Sequence, residues 1–222
     1  MSISDNLTGL RASLPAGVEL VAVSKFHPLK ALRQAYDAGQ RIFGESRALE
    51  MTAKAAEMPD DVEWHFIGHL QTNKVRPVVA TASLIHSIDS PHLLEAVEKE
   101  CVRTGRRVRV LMQLHVALEE TKFGFTPDEL MAYLTPELVG SLKGVTIAGV
   151  MGMASNVDDD ERIRRDFSAI RSSFDRLQRE VFAFSPEFRI VSMGMSHDWP
   201  IAVAEGANMV RIGTTIFGER EY

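Results

Sequence analysis

The chain has 222 residues, 25 Lys plus Arg against 30 Asp plus Glu for a formal charge of -5, and 45% hydrophobic residues. That composition excludes a wholly disordered chain, and its mild acidity is a poor basis for general nucleic-acid binding, which needs a basic surface. The single cysteine, Cys101, cannot close an internal disulfide, the first residues lack the apolar core of a signal peptide, and no run of about 18 apolar residues could span a membrane, so a soluble, cytoplasmic protein is expected.

Residues 2–14 read as an extra amphipathic helix ahead of the first strand. Short apolar runs rich in Val and Ile then alternate with segments of helical spacing, which is the pattern of strands buried in a parallel sheet. The first strand is predicted over 18–24 and a helix over 28–38, with Pro28 in its first turn and Gly39 past its end. A short strand at 41–43, a helix over about 46–57, a strand at 63–67 and a short helix over 72–79 follow. Strand 84–87 precedes a helix over 91–104 ended by Gly105, and 107–116 reads as the longest strand.

In the second half a helix is predicted over 127–135, a strand over 145–150 and a long helix over 159–182. Ile163, Phe167, Ile170, Phe174, Leu177 and Val181 give that helix one apolar stripe, and its acidic start suits the helix dipole. Strand 189–192, helix 200–205, strand 209–212 and a short ending at 217–222 complete the chain. Eight strands alternating with helices in this length imply a single-domain (β/α)8 TIM-type barrel over residues 1–222. A doubly wound open sheet is the alternative, because two of the strands are very short.

In a barrel the active site lies at the C-terminal strand ends. Lys25 follows the first strand there. It either extends along the strand end to solvent or is a desolvated amine able to form an imine. After strands seven and eight come two small-residue loops, 192–198 and 212–215, where barrels often hold a phosphate. Together with Lys25 they describe a site for an aldehyde cofactor held at one end by its phosphate and at the other by a lysine imine.

Six segments in fixed order carry a more specific signal: Ala22-Val23-Ser24-Lys25, Phe43-Gly44-Glu45, Trp64-His65-Phe66-Ile67-Gly68, Leu70-Gln71-Thr72-Asn73-Lys74, Gly194-Met195-Ser196 with Asp198, and Met209-Val210-Arg211-Ile212-Gly213-Thr214 with Phe217-Gly218. By these the chain resembles the pyridoxal-phosphate-binding homeostasis protein family, a single-domain relative of the alanine racemase N-terminal barrel. The resemblance implies pyridoxal 5'-phosphate as cofactor and Lys25 as the imine lysine. It further implies that Ser196, Gly213 and Thr214 hold the phosphate and that Arg211 faces the pyridine nitrogen. Ser46 is counted with the cofactor residues, although the family usually carries Asn there. His69 stands where Pro is usual, and His115 where Asn is common.

Rival motifs are weaker. His65 and His69 are four apart, a zinc-pair spacing on a helix, but they straddle a strand end and lack the H-E-x-x-H glutamate. The Ser-His-Asp within 196–198 is too compressed for a catalytic triad, and Cys101 reads as an inert helix residue. Neither a Walker A nor a Rossmann fingerprint is present.

A guanidinium only donates, so a ring nitrogen facing Arg211 must accept and stay unprotonated, which makes the ring a weak electron sink. The second base of alanine racemases is a tyrosine from a further domain, expected to be absent because the chain stops at Tyr222, soon after the barrel. Tyr36 and Tyr133 fall in predicted outer helices. The expectation is a monomeric carrier of the cofactor in intracellular homeostasis, serving apo-enzymes without substantial catalysis. A weak amino-acid racemase, and a barrel binding some other phosphorylated metabolite, are the alternatives.

Overall fold

The computed structural model describes residues 2–119 and 123–219. Eight parallel strands close on themselves in sequence order: β1 (Glu19–Val23), β2 (Ile42–Glu45), β3 (Glu63–Phe66), β4 (Leu84–Ile88), β5 (Val108–Leu114), β6 (Val145–Gly152), β7 (Ile190–Ser192) and β8 (Met209–Ile212). Closure is made by β8 on β1, in the register Glu19 to Met209 through Ala22 to Ile212, which rules out the open sheet. At 8 residues β6, rather than β5, is the longest described strand.

The helices form the outer ring. They are α1 (Ile3–Ser13), α2 (Leu29–Asp37), α3 (Ala48–Ala55), α4 (Val75–Thr81), α5 (Pro91–Thr104), α6 (Pro127–Tyr133), α7 (Pro136–Ser141), α8 (Asp160–Glu180), α9 (Trp199–Ala204) and α10 (Thr214–Phe217). The predicted extra helix is α1, begun by a capping box in which Ser2 and Asp5 exchange bonds. The predicted 72–79 helix is a 3₁₀ turn (Thr72–Lys74) running into α4. Helices α7 and α10 were not predicted. Thr135 caps α7 and Pro136 opens it, ending the 127–135 segment early.

Alternation along each strand sorts the core into two layers. Trp64, Phe66, Ile85, Val191, Val210 and Ile212 pack outward into the large cluster beneath the helices. The α8 stripe of Ile163, Phe167, Ile170, Phe174 and Leu177 is buried in the same layer. Val21, Leu84, Leu111, Ala148, Ile190 and Met209 form a separate cluster inside the barrel. Two residues further along those strands come Val23, His86, Ser192 and Arg211, so the upper interior turns polar toward the C-terminal mouth. Cys101 is buried in α5, where burial pushes its thiol up to about 11 and keeps it protonated. Among the described residues no helix is long and apolar enough to cross a membrane.

Candidate functional site

Lys25, Ser196, Arg211, Gly213 and Thr214 line one cavity of about 220 Å³ at the C-terminal ends of the strands. Its apolar walls are Val23, Ile67, Met153 and Met195, with His197 at the same lining. Two cationic side chains and two hydroxyls thus converge, and among the described residues no carboxylate is in the lining. That polarity selects an anion, and a primary amine beside an anion cup can condense with an aldehyde.

Local structure sets each group. Lys25 continues the inward row of Val21 and Val23 and is half-buried. Phe26, next in the chain, has φ 68°, the one positive φ among described non-glycine residues. Its N–H donates to Glu50 Oε1 at 2.6 Å, and the Arg47 guanidinium lies 4.5 Å from its ring centroid. Below it, the buried Lys54 ammonium donates to Ser24 O at 2.8 Å, Glu45 Oε1 at 2.8 Å and Glu50 Oε1 at 2.7 Å. Burial raises the Glu45 carboxyl against the pull of Lys54. This cluster anchors the turn that carries Lys25.

The two small-residue loops meet as expected: Gly213 N–H donates to Ser196 Oγ at 3.3 Å. The loop after β7 is shaped by the buried Asp198, whose carboxylate accepts Met195 N–H at 2.5 Å. Gly194 has φ 95°, and a Cβ there would come within 2.7 Å of the Ala202 side chain, so the turn requires glycine.

Arg211 is buried inside the barrel, donating from Nη1 to Ser192 Oγ at 2.6 Å and from Nη2 to Gly152 O at 3.0 Å. Burial pushes its pKa down to about 10, so it still carries its charge at neutral pH. Behind it, Ser192 Oγ lies 3.0 Å from His86 Nδ1, and His86 Nε2 lies 3.0 Å from His65 Nδ1. Sequence reasoning missed this line, as well as Glu50 and the Lys54 cluster. The alternation of β4 and β7 does place His86 and Ser192 inward, so a signal existed for two of them.

Ser46 is not brought to this cavity. It lines a neighbouring groove of about 640 Å³ with Phe26, Arg47, Glu50, His69 and Lys74. Its backbone packs so closely on Gly68 that a Cβ at Gly68 would come 2.3 Å from Ser46 O. His65 and His69 also part company. The first is buried against His86, and the second is exposed, 2.9 Å from Asp89 and stacked on Phe123. Among the described residues no group of three or more His, Cys, Asp or Glu could hold a metal. His115 Nε2 lies 3.0 Å from Glu119 O. Tyr36 is on α2, donating to Asp61 at 2.7 Å, and Tyr133 ends α6 stacked on Phe125, while Tyr222 lies outside the described residues.

A closed parallel barrel with a lysine after β1, an arginine inside β8 and two small-residue loops meeting at the mouth defines a class: single-barrel proteins whose cationic, hydroxyl-lined mouth suits a small anion. Comparison with known proteins makes this specific. The profile of the alanine racemase N-terminal domain matches residues 1–221. The pyridoxal phosphate homeostasis protein of Aquifex aeolicus is 38% identical over 205 residues, 92% of this chain and 88% of its own length. The structure of PipY from Synechococcus elongatus PCC7942 with PLP bound is 40% identical, covers 98% of this chain and 100% of its own, and superposes with a TM-score of 0.86. An alanine racemase from E. faecalis shares the fold at 18% identity and a TM-score of 0.77, over 57% of its length. The chain belongs to the alanine racemase N-terminal domain family and, within it, groups with the pyridoxal phosphate homeostasis proteins.

Proposed function

We propose that the chain, as one domain, binds pyridoxal 5'-phosphate through an imine on Lys25 and serves in homeostasis or delivery of that cofactor rather than in turnover. The observation that carries this reading is the convergence of Lys25, Arg211, Ser196, Gly213 and Thr214 on one cavity. The residues fit the group: an amine for the aldehyde, hydroxyls and the Gly213 turn for the phosphate, and a guanidinium for the ring nitrogen. Arg211 is buried and its charge is only partly offset by the nearby Asp198 carboxylate, so an anionic ligand at this mouth would add to that compensation. Ser46 is left out of this cofactor set because it lines the adjoining groove.

The bound cofactor supplies an electron-withdrawing ring. Arg211 keeps the ring nitrogen unprotonated, which favours holding over carbanion chemistry. The described tyrosines support the same reading, since α2 and α6 keep Tyr36 and Tyr133 in the outer ring. Apo-enzymes that need the cofactor are the proposed recipients, the cytoplasm the proposed compartment and a monomer the proposed state. The test is the visible absorbance of the purified protein with cofactor, followed by borohydride reduction and peptide mass spectrometry. An imine band trapped on Lys25, and lost in Lys25→Ala, is expected. A protein without such a band, or an adduct mainly on Lys74 or Lys122, overturns the reading.

A further inference from the structure

The line of polar groups inside the barrel has one consistent direction. Arg211 can only donate, so Ser192 Oγ accepts at 2.6 Å and its own proton is free to go to His86 Nδ1 at 3.0 Å. His86 therefore carries its hydrogen on Nε2 and gives it to His65 Nδ1 at 3.0 Å, which leaves His65 with its hydrogen on Nε2. His65 Nε2 is then the single end of the chain, and it is buried without a partner among the described residues. The reverse direction would orphan the Ser192 hydroxyl as well as that nitrogen, at the cost of a second unsatisfied buried group. Four strands supply the members: His65 on β3, His86 on β4, Ser192 on β7 and Arg211 on β8.

We infer that His86 is a positioning residue for the cofactor: acting through Ser192, it fixes the guanidinium of Arg211 at the height where that group meets the ring nitrogen. This rests on the proposed binding of pyridoxal 5'-phosphate. A long side chain reaching into a barrel from β8 has many rotamers. Ser192 and the Gly152 carbonyl hold two of its nitrogens, and His86 sets the orientation of the Ser192 hydroxyl. A protonated His86 would reverse that hydroxyl and set a second cation against Arg211. The arrangement thus keeps the guanidinium as the sole charge of the line.

Two measurements test this. Long-range proton–nitrogen NMR of the ligand-free protein at neutral pH should show both histidines neutral with hydrogen on Nε2. A hydrogen on Nδ1 of His86, or a charged ring, overturns the direction of the chain. The second measurement compares pyridoxal 5'-phosphate with its analogue carrying C–H in place of the ring nitrogen. His86→Leu should weaken the cofactor about tenfold or more and the analogue less than about twofold, because only the former uses Arg211. His86→Asn, which keeps an acceptor near the place of Nδ1, should recover affinity to within about threefold of the parent. Equal losses for both ligands, or no recovery in His86→Asn, overturn the inference. If His86→Leu does not fold, Ser192→Ala carries the same comparison with little change of volume. A parent protein without an imine band overturns the cofactor reading itself. A parent with the band and a His86→Leu variant indistinguishable from it overturns the positioning role alone.

Discussion

Glu50 accepts the backbone N–H of Phe26 at 2.6 Å, and so fastens α3 to the turn directly after Lys25. Phe26 sits at φ 68°, a conformation that costs a bulky residue about 1–3 kcal/mol and persists only where the surroundings offset that cost. The carboxylate, itself held by Lys54 at 2.7 Å, is one of the contacts that hold it there. Glu50→Ala should therefore destabilise the protein by about 2 kcal/mol, seen as a lower urea midpoint, and should slow imine formation on Lys25. Glu50→Gln keeps an acceptor for Phe26 and should lie between the two. Unchanged stability and uptake in Glu50→Ala would show that the turn holds itself.

The cup formed by Ser196 and the Gly213–Thr214 turn predicts discrimination by phosphate. Each charge-assisted hydrogen bond lost costs about 1.5–3 kcal/mol. Ser196→Ala and Thr214→Val should weaken pyridoxal 5'-phosphate about tenfold or more and leave unphosphorylated pyridoxal nearly unchanged. Ser196 Oγ already accepts Gly213 N–H at 3.3 Å, so Ser196→Ala also loosens the contact between the loops. Titrations in which both ligands lose equally would remove these residues from the phosphate.

Carrier and enzyme separate at the α-proton of an amino acid. Transimination at Lys25 needs no protonated ring, whereas α-proton abstraction does benefit from one. On the proposed seating of the ring nitrogen against Arg211, deuterium from heavy water should enter L-amino acids very slowly, and chiral chromatography should find negligible inversion. Rapid exchange with inversion, absent in Lys25→Ala, would establish a racemase.

The buried histidines predict acid sensitivity. Burial lowers the His65 pKa to about 3, and burial with neighbouring charge holds His86 well below 6.5. In the unfolded chain both regain values near about 6.5, so below that pH the unfolded state binds more protons. Their stabilisation is whole above that pH and declines as pH falls toward about 3, by up to roughly 1.4 kcal/mol per unit for each ring. Glu45, whose carboxyl is raised by burial, offsets part of this because it takes up its proton in the folded state first. Urea midpoints should fall between pH 7 and pH 5. A flat profile would mean that the rings gain protons without unfolding.

Much of this was readable from residue order. The strand and helix periods are local properties, which is why α5 and β8 fall at their predicted bounds and the α8 stripe is buried from Ile163 to Leu177, while Val181, read as its last member, is the half-buried C-cap just past the helix. The loops bearing Lys25, Ser196 and Gly213-Thr214 follow apolar strands, and a barrel sends every strand end to the same mouth. The 4-residue α10 escaped because it is too short to show a helical period.

What residue order left open was decided by pairings between distant segments. Closure rests on β1 meeting β8, residues about as far apart as the chain permits, and that choice depends on strand twist and packing summed over the barrel. Ser46 follows Gly44 and Glu45 in a motif suggestive of the cofactor, yet the close packing of its backbone on Gly68 leaves it in the adjoining groove. The hydrogen bonds from His65 and His86 through Ser192 to Arg211 join β3, β4, β7 and β8, with His86 and Ser192 106 positions apart. Alternation alone turns each of these residues inward. Only the stagger of a closed barrel sets their heights, and so decides that a serine stands between a histidine and an arginine.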